Sequence, residues 1–294
     1  MAAGLSRLGI HSGFMGQVGD DPFGHFLAQT LAGHGVDISA LRFSPTARTA
    51  LAFVSLRADG ERKFMCYRHP NEDMLYRPED VDIDYVRSAR IFHFGSISLI
   101  GDPSRSATLH AARAARDAGR LISYDPNLRL NLWPDPRSAV DGIMAGWPLA
   151  HVIKVSEEEL IFLSGTDDTA EAARRLWHPD LRLLTVTRGA FGCRYFTRRF
   201  RGELPGFPVV VQDTTGAGDG FLAGLLKCLL EHPDALDDEP KLRDACRYAN
   251  AVGALTTTRL GAIPALPTAF EVEQFLERQY AKGRMPAAAA DKGK

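Results

Sequence analysis

Short apolar runs rich in β-branched residues alternate with stretches of helical periodicity along the middle of the chain. The runs predict strands at Ile91 to Phe94, Leu121 to Tyr124, Val152 to Val155 and Leu183 to Thr187. Apolar residues at helical spacing between them predict helices over residues 105–118, 157–164 and 169–177. This alternation is typical of an α/β fold with a mostly parallel sheet that helices cover on both faces.

An earlier segment departs from the alternation. Two strand-like runs, Thr49 to Arg57 and Arg62 to Arg68, are joined by Ala58-Asp59-Gly60-Glu61, and Asp-Gly between such runs indicates a β-hairpin. A hairpin in an α/β chain usually stands outside the parallel sheet, so we expect a small β lid over residues 42–74. We expect the main α/β domain to combine residues 1–41 and 75–282, and residues 283–294 to form a flexible tail.

Composition and charge narrow the classes of function. The 294 residues carry 35 Lys and Arg against 36 Asp and Glu, which gives a formal net charge of −1. The basic tract Arg198-Arg199-Phe200-Arg201 is short. A nucleic-acid-binding protein carries an extended basic patch, so the sequence favours small-molecule partners and no nucleic acid.

Cysteine spacing and hydropathy indicate the cellular compartment. The cysteines Cys66, Cys193, Cys228 and Cys246 form no Cys-x-x-Cys pair, which argues against a zinc site or a disulfide scaffold and predicts reduced core thiols. No apolar run reaches the roughly 18 residues of a membrane span, and the first residues lack the apolar stretch of a secretory signal. We therefore expect a cytoplasmic protein without a membrane partner.

A glycine-containing turn between two apolar segments is the strongest candidate for chemistry. Phe207 to Val211 predicts a strand, Gln212 to Gly218 a turn, and the apolar residues from Phe221 to Leu230 repeat at helical spacing. Gly216, Ala217 and Gly218 have little or no side chain, so their N–H groups can approach a ligand at the positive end of the following helix. An anion such as phosphate is expected there.

Asp219 is an unusual residue at the start of this predicted helix. A carboxylate beside a bound phosphate is repelled by it, unless the carboxylate takes a proton from an attacking hydroxyl as a general base does. The alternative is an aspartate that only caps the helix. Rival phosphate motifs do not fit, because the segment lacks the Lys-Ser/Thr of a P-loop and Phe221 stands at the third glycine position of a dinucleotide fingerprint.

Several segments carry a resemblance to one family. Asp213-Thr214-Thr215-Gly216-Ala217-Gly218-Asp219-Gly220 resembles the second signature of the PfkB/ribokinase family of carbohydrate kinases, and Phe14 to Gly24 is similar to the end of the first signature. Segments similar to the fructokinases of that family are Phe92 to Leu99, Asp125 to Pro134 and Ile153 to Leu160. The resemblance runs from about Leu8 to Pro267. It implies a ribokinase-like three-layer α/β sandwich with a mostly parallel central sheet and a small β lid.

The resemblance also implies a reaction, in which an ATP-dependent phosphotransferase converts fructose and ATP into fructose 6-phosphate and ADP. By this resemblance Asp219 deprotonates the sugar hydroxyl, and the N–H groups of Gly216, Ala217, Gly218 and Asp219 form an anion hole for the transferring phosphoryl group. Glu159 helps to place Mg²⁺ through water. The alternative for Glu159 is a solvated carboxylate in a first helical turn, where the helix dipole favours it.

Nucleotide contacts are implied for five residues, which are Ser156, Thr187, Gly189, Gly192 and Asn250. Ser156 stands where the family often has Asn, a departure that fructokinases tolerate. Taken without the resemblance, the segment from Thr187 to Gly192 indicates an ordinary hairpin turn, and Asn250 an exposed helical residue.

Two further sets of contacts follow from the same resemblance. A site for a monovalent cation such as K⁺ is implied at positions that contribute mostly backbone oxygens: Asp213, Thr215, Thr256, Arg259, Gly261 and Ala265. Arg129 suits contact with phosphate or sugar oxygens, and it suits a salt bridge at a helix start equally well.

The beginning of the chain departs from the family pattern. Family members begin with a strand that carries a sugar-binding Asp, followed by a Gly-Gly turn and an Asn, and none of these precedes Leu8. Met1 stands where the family has a valine, so we expect the natural start to lie upstream of Met1. An in-frame upstream sequence encoding those features supports this expectation, and a stop codon directly upstream contradicts it. In the lid, Glu72 stands where fructokinases usually have Ala.

Two alternatives for function stay open. Another sugar of the family, 2-keto-3-deoxygluconate or ribose, fits the same motifs, because specificity depends on lid and N-terminal side chains. A nucleotide-binding regulatory protein without turnover is the other alternative, because the strand that carries the sugar-binding Asp of the family does not precede Leu8. The resemblance also implies a homodimer formed through the lid.

Overall fold

The structure, a computed structural model, describes residues 1–56, 62–67 and 72–281, and for residues 52–56, 62–67, 72 and 73 it describes the backbone alone. Two compact units make up the chain. The first unit is Gly13–His151, and the second combines Met1–Ser12 with the chain from Val152 onward. In the described ranges, no helix has both the length and the apolar character needed to cross a membrane.

The elements alternate along the chain as the apolar pattern predicts. Within the described residues the strands are β1 (Gly16–Gly19), β2 (Leu41–Ser44), β3 (Leu51–Leu56), β4 (Arg62–Tyr67), β5 (Ile91–Gly95), β6 (Leu121–Asp125), β7 (Val152–Ser156), β8 (Leu183–Thr187), β9 (Cys193–Phe196) and β10 (Arg201–Leu204). The helices are α1 (Ala2–Arg7), α2 (Pro22–Gly33), α3 (Ile83–Ser88), α4 (Ser104–Asp117), α5 (Pro136–Gly146), α6 (Glu157–Ser164), α7 (Thr169–Arg175), α8 (Ala217–Glu231), α9 (Glu239–Thr256) and α10 (Ala269–Ala281). The predicted strands and helices from residue 91 to residue 187 are therefore confirmed, with small shifts at their ends.

A parallel pair of short strands, β1 and β2, begins the first unit, and α2 connects them. Asp21 caps α2, since its Oδ1 accepts hydrogen bonds from the N–H groups of Phe23 and Gly24 at 3.0 and 2.9 Å. The N–H of Thr49 donates to Oδ2 at 2.9 Å. The hydrogen bond from Thr49, followed by those from the helix, lowers the pKa of Asp21, so the cap is an ionised carboxylate.

The strands β3 and β4 form an antiparallel hairpin inside the segment predicted as a lid. Their register places Leu51 opposite Tyr67 and Leu56 opposite Arg62, so the predicted hairpin is confirmed. It forms a two-stranded sheet of its own. The turn predicted at residues 58–61 lies outside the described residues, and the assignment of residues 42–74 as a lid stays a prediction.

The core of the first unit lies around β5 and β6, which are parallel and connected by α4. Ile122 and Tyr124 of β6 are fully buried. Phe94 of β5 stacks on Tyr124 with ring centroids 4.5 Å apart, and Trp147 meets the edge of the same ring at 6.3 Å. Aromatic packing of this kind holds the two strands and the chain after α5 together.

The second unit contains β7 and β8, which are parallel and connected by α6 and α7. β9 returns antiparallel beside β8, and β10 lies antiparallel beside β9. Val152, Ile153 and Val155 of β7 are fully buried, although successive residues of a strand point to opposite faces. A strand buried on both faces is typical of a parallel strand covered by helices. The prediction of a mostly parallel α/β arrangement is confirmed.

The strand predicted at Phe207 to Val211 is wrong. These residues form no strand, and Val210 and Val211 are 85% and 56% exposed. Pro208 lacks an N–H group and cannot donate a hydrogen bond in the middle of the run. Phe207 is nevertheless anchored, because its ring packs on Phe275 with centroids 5.2 Å apart.

Close packing around α8 fixes the position of the predicted phosphate turn. Gly224 lies against α9, where an added Cβ would be 3.0 Å from the Cα of Ala249 and 2.9 Å from Cγ2 of Val252. Ala223 and Val252 share a buried cluster with Leu8, which follows α1. The middle of α8 is therefore held from two sides.

Candidate active site

Gly216 sets the direction in which α8 begins. It is the N-cap residue with φ of 81°, in the left-handed region that favours glycine. Ala217, Gly218 and Asp219 then form the first turn of the helix. A side chain at position 216 would also meet the Cα of Ala262 at 3.3 Å, so the local geometry requires glycine.

Three of the four N–H groups at the start of α8 have no acceptor in the part of the chain that the structure describes. Those of Gly216, Gly218 and Asp219 make no hydrogen bond there, whereas the N–H of Ala217 donates to the carbonyl oxygen of Thr214 at 3.2 Å. The orphan donors of a helix start, with the positive end of the helix dipole, form an anion-binding site. The predicted anion hole therefore has three available donors, and Ala217 closes the turn.

Asp219 lies at the edge of this array of donors. Its side chain is 44% exposed, and its Oδ1 is 3.3 Å from the amino nitrogen of Met1. An accessible carboxylate next to an anion site can approach a hydroxyl group of a bound substrate. The position therefore suits the general base that the sequence predicts, although a helix-capping role would also place an Asp here.

Lys154 is a charged residue that sequence reasoning missed. It lies on β7 and is only 6% exposed, and its Nζ is 3.0 Å from the position that a Cβ would take at Gly218. The Lys154 ammonium group therefore places a positive charge beside the first turn of α8, where it would attract an anion. The available signal is a lysine inside the apolar run from Val152 to Val155.

Ser156 and Glu159 form a capping box at the start of α6. The Ser156 hydroxyl accepts a hydrogen bond from the N–H of Glu159 at 3.2 Å, and Glu159 Oε2 accepts one from the N–H of Ser156 at 2.8 Å. Glu159 is half-buried in the first turn of α6, a position that also agrees with the alternative of a first-turn carboxylate favoured by the helix dipole. The cap holds this carboxylate at the carboxyl end of β7.

The segment from Thr187 to Gly192 connects the antiparallel strands β8 and β9 and is thus a hairpin turn. Thr187 is the register partner of Ser156, so the structure brings these two predicted nucleotide contacts together. Gly189 and Gly192 both have positive φ. A Cβ at Gly192 would lie 2.1 Å from the carbonyl oxygen of Leu204, so the chain passes too closely for any other residue.

Arg188 ties this turn to the start of α6. Its Nε is 3.3 Å from Oε1 of Glu157, and its Nη1 is 3.5 Å from Oε2 of Glu203. Its guanidinium carbon also lies 5.8 Å from the ring centroid of Phe191, at cation–π distance. Sequence reasoning did not single out Arg188, whose carboxylate partners are distant in sequence.

Asn250 is buried on α9 and is not the exposed helical residue that composition alone favours. Its amide donates to the carbonyl oxygen of Pro205 at 3.1 Å. Because the chain at Leu204 and Pro205 passes against Gly192, Asn250 is connected to the hairpin turn through that backbone.

Asp213 joins the turn before α8 to the loop after α9. Its Oδ1 accepts a hydrogen bond from the N–H of Thr215 at 2.8 Å, and its Oδ2 accepts one from the N–H of Gly261 at 2.9 Å. Asp213, Thr256 and Ala265 are buried. The structure thus brings together the two segments predicted to line a monovalent-cation site.

Arg259, another residue predicted for that site, forms an ion pair with Glu271. The guanidinium of Arg259 and then the N–H of Thr268, which donates at 2.7 Å, lower the pKa of Glu271 to about 2. The side chain of Arg259 is thus committed to a carboxylate, and a cation contact through its backbone oxygen stays a prediction.

Arg129 lies in the first unit and contacts its own loop. Its Nη1 donates to the carbonyl oxygen of Leu128 at 3.0 Å. Asn127 has φ of 46°, and its N–H donates to Oδ1 of Asp125 at 3.1 Å. A non-glycine residue in this region often marks a functional loop. The salt bridge considered for Arg129 is not present among the described residues.

Comparison with known proteins identifies the class. Residues 1–269 match the profile described as pfkB family carbohydrate kinase, so the chain belongs to this family of carbohydrate kinases. Among its relatives, probable fructokinase-4 of Arabidopsis thaliana is 53% identical over 278 residues, which are 94% of this chain and 85% of the relative.

Solved structures of fructokinases have the same fold as this chain. The crystal structure of a fructokinase with bound ATP from Xylella fastidiosa has a TM-score of 0.90 at 37% identity and covers 95% of this chain and 89% of the other. A fructokinase double mutant from Vibrio cholerae O395, bound to fructose, ADP and a potassium ion, has a TM-score of 0.84 at 36% identity, with 94% and 88% covered. The ribokinase-like α/β fold predicted from the sequence is confirmed.

Proposed function

We propose that this protein is a fructokinase, which transfers the γ-phosphoryl group of ATP to fructose at the 6-hydroxyl. The observation that carries the proposal is the place of Asp219, in the first turn of α8 among N–H groups that have no acceptor in the described part of the chain. Fructose and ATP as substrates are supported by its relatives, which include fructokinases, one of them solved with ATP and one with fructose and ADP.

The chemistry follows from the donors and the carboxylate. Asp219 accepts the proton of the attacking hydroxyl, which makes the oxygen a better nucleophile. The N–H groups of Gly216, Gly218 and Asp219 donate hydrogen bonds to the phosphoryl oxygens, whose negative charge must be stabilised during transfer. Lys154 adds positive charge on the same side. The N–H of Ala217 keeps the turn closed through Thr214.

The nucleotide lies, in this proposal, along the carboxyl ends of β7 and β8. Ser156 and Thr187 contribute polar groups there, and Gly189 and Gly192 allow the chain to approach the ligand. Asn250 acts indirectly, because its amide holds Pro205 and thereby shapes the chain beside Gly192.

The proposed cations are Mg²⁺ and K⁺. Mg²⁺ typically binds the substrate phosphates and one or two carboxylates, partly through water, and Glu159, held by its capping box, is placed to orient such a water. K⁺ suits a ring of backbone oxygens, and Asp213 holds the turn and the loop that offer them, through Thr215 and Gly261.

Other parts of the proposal concern the sugar side and the assembly. We assign Arg129 to sugar or phosphate contact, residues 42–74 to a lid over the sugar, and the lid to a homodimer. A cytoplasmic location belongs to the proposal too, while one relative of 50% identity is named as chloroplastic.

A substrate panel tests the activity. Release of ADP from Mg-ATP is measured with fructose, ribose, glucose and 2-keto-3-deoxygluconate, and we expect the highest kcat/KM for fructose. A higher kcat/KM for ribose or 2-keto-3-deoxygluconate would show that this sugar, and not fructose, is the preferred substrate. ATP binding without sugar-dependent ADP release would instead favour a nucleotide-binding protein without turnover.

A further inference from the structure

A second region of this unit collects arginine and aromatic side chains around a cleft of about 810 Å³. This volume lies within the range of about 300–1,000 Å³ that is typical of small-molecule sites. One wall comes from α7 and the loop after it, and the other from the β9–β10 hairpin. The arginine and aromatic residues that line it include Arg174, Trp177, Phe196, Arg198, Phe200 and Arg201.

The cleft lies away from the proposed nucleotide site. β8 ends at Thr187, next to the nucleotide turn, and β9 runs back antiparallel until Phe196 stands opposite Leu184 near the start of β8. The hairpin turn after Phe196 therefore lies at the amino end of β8. At about 3.3 Å per residue, the length of the strand separates the two regions.

The charged side chains that line the cleft are positive. Arginines 174, 198, 199 and 201 line it, and no Asp or Glu is among its lining residues. The whole chain has a net charge of −1, so this excess of positive charge is local. Arginines concentrated in a concave surface raise the local concentration of anions.

The arginines of the hairpin are available for a ligand. Within the described residues, Arg198 and Arg201 form no ion pair with a carboxylate. The neighbouring Arg199 donates to the backbone oxygen of Asp237 at 3.3 Å, and the carboxylate of Asp237 is already paired with Arg182 at 3.1 Å. The carboxylate of Asp237 is therefore committed to Arg182, outside the cleft.

Aromatic rings stand among these charges. Phe196 and Arg201 are cross-strand partners, so their side chains lie on the same face of the hairpin. Trp177 and Phe200 are half-buried and present apolar surface to the cleft. Aromatic faces suit stacking with a planar ring, and guanidinium groups bind phosphate through two parallel N–H donors.

We propose that this cleft binds an organic phosphate with a planar aromatic body, the chemical class to which mononucleotides belong. The phosphate pairs with Arg198 and Arg201, and the planar body stacks on Trp177 and Phe200. This binding site is independent of the proposed kinase activity.

Flavin mononucleotide and riboflavin test the proposal, since they share one planar ring and differ in the phosphate. Their binding to the full chain is followed by flavin fluorescence polarisation and by quenching of protein fluorescence. Trp177 is half-buried in the cleft, whereas Trp133 and Trp147 are buried. We expect flavin mononucleotide to bind at least tenfold more tightly than riboflavin, and saturating ADP, Mg²⁺ and fructose to leave its Kd unchanged.

Matched variants locate the binding. The double substitution Arg198→Gln and Arg201→Gln is expected to weaken the binding of flavin mononucleotide at least tenfold. The control changes two exposed arginines of α4 and α5, Arg113→Gln and Arg137→Gln, which alters net charge equally and should leave the Kd unchanged. Trp177→Leu should remove most of the quenching. Kinase activity of the hairpin variant verifies that it is folded.

Three results would overturn the proposal. They are equal binding of riboflavin and flavin mononucleotide, an unchanged Kd in the folded hairpin variant, and displacement of flavin mononucleotide by ADP with Mg²⁺. The last result would assign the binding to the kinase site.

Discussion

Two regions of the second unit suit anions, and they are built from different donors. The phosphate turn uses uncharged backbone N–H groups whose directions are set by Gly216 and the start of α8, with Lys154 buried beside them. The arginine cleft uses long, exposed side chains of a hairpin. Fixed donors can be aligned to a transition state, whereas mobile charges contribute affinity without that alignment. The comparison therefore separates a site for chemistry from a site for binding.

The sharpest test of the comparison is Asp219→Asn. Loss of the general base should lower kcat by about 10²- to 10⁴-fold, with nucleotide binding and flavin mononucleotide binding at the arginine cleft unchanged. Steady-state kinetics and nucleotide titration measure this. The control is Asp141→Asn, which changes an exposed carboxylate of α5. Near-normal turnover of Asp219→Asn would show that Asp219 is not the general base.

Gly216→Ala tests whether the backbone geometry of the turn matters. An alanine with positive φ is strained by about 1–2 kcal/mol, and its Cβ would meet Ala262. We expect a decrease of that size in the free energy of unfolding, measured in urea, and weaker ATP binding. In the control, Gly33→Ala, no atom lies within 4 Å of the added Cβ, and stability should not fall. Equal effects of the two changes would contradict the assigned strain.

Glu159→Gln tests the proposed magnesium role without removing the cap, since glutamine also completes a capping box. The Mg²⁺ concentration for half-maximal rate should rise about tenfold, as for other residues that orient metal-bound water. Glu158→Gln, an exposed neighbour in the same turn, serves as control. Superimposable Mg²⁺ titrations of wild type and Glu159→Gln would speak against the role.

Glu271→Gln tests the ion pair of Arg259, which, unlike the arginines of the cleft, has a carboxylate partner among the described residues. The pKa of Glu271 falls to about 2 from its ordinary 4.5, so its stabilising contribution is complete above about pH 4.5 and is lost as the pH falls toward 2. Because Arg259 is 47% exposed, solvent screens the pair and we expect a loss of no more than about 1 kcal/mol at pH 7.

Urea unfolding at pH 7, 4 and 3 measures this loss. The difference between wild type and Glu271→Gln should shrink below pH 4.5. The exposed Glu277→Gln on α10 provides a control with little effect at any pH. A difference that stays constant from pH 7 to pH 3 would show that the ion pair is not its source.

The sequence by itself determined the local elements and the core of the candidate site. The strands β5 to β8 and the helices α4, α6 and α7 follow from apolar periodicity, because residues near in sequence decide it. The order of turn and helix around Gly216 and Asp219 was also predictable, since glycines and a helix start leave a clear pattern. The predicted strand before that turn failed, because Pro208 interrupts it and no neighbouring strand pairs with it.

Contacts between distant segments were decided by the tertiary structure alone. Lys154 meets the turn at Gly218 only because β7 lies beside the start of α8. Cysteines that look unrelated in sequence become neighbours in the core, where the hydrogen bond between the Cys246 thiol and Cys193, together with burial, raises the pKa of Cys246. The arginine cleft likewise needs α7 to pack near the β9–β10 hairpin. Such contacts depend on how buried surfaces fit together in three dimensions, and periodicity along one chain carries no record of that fit.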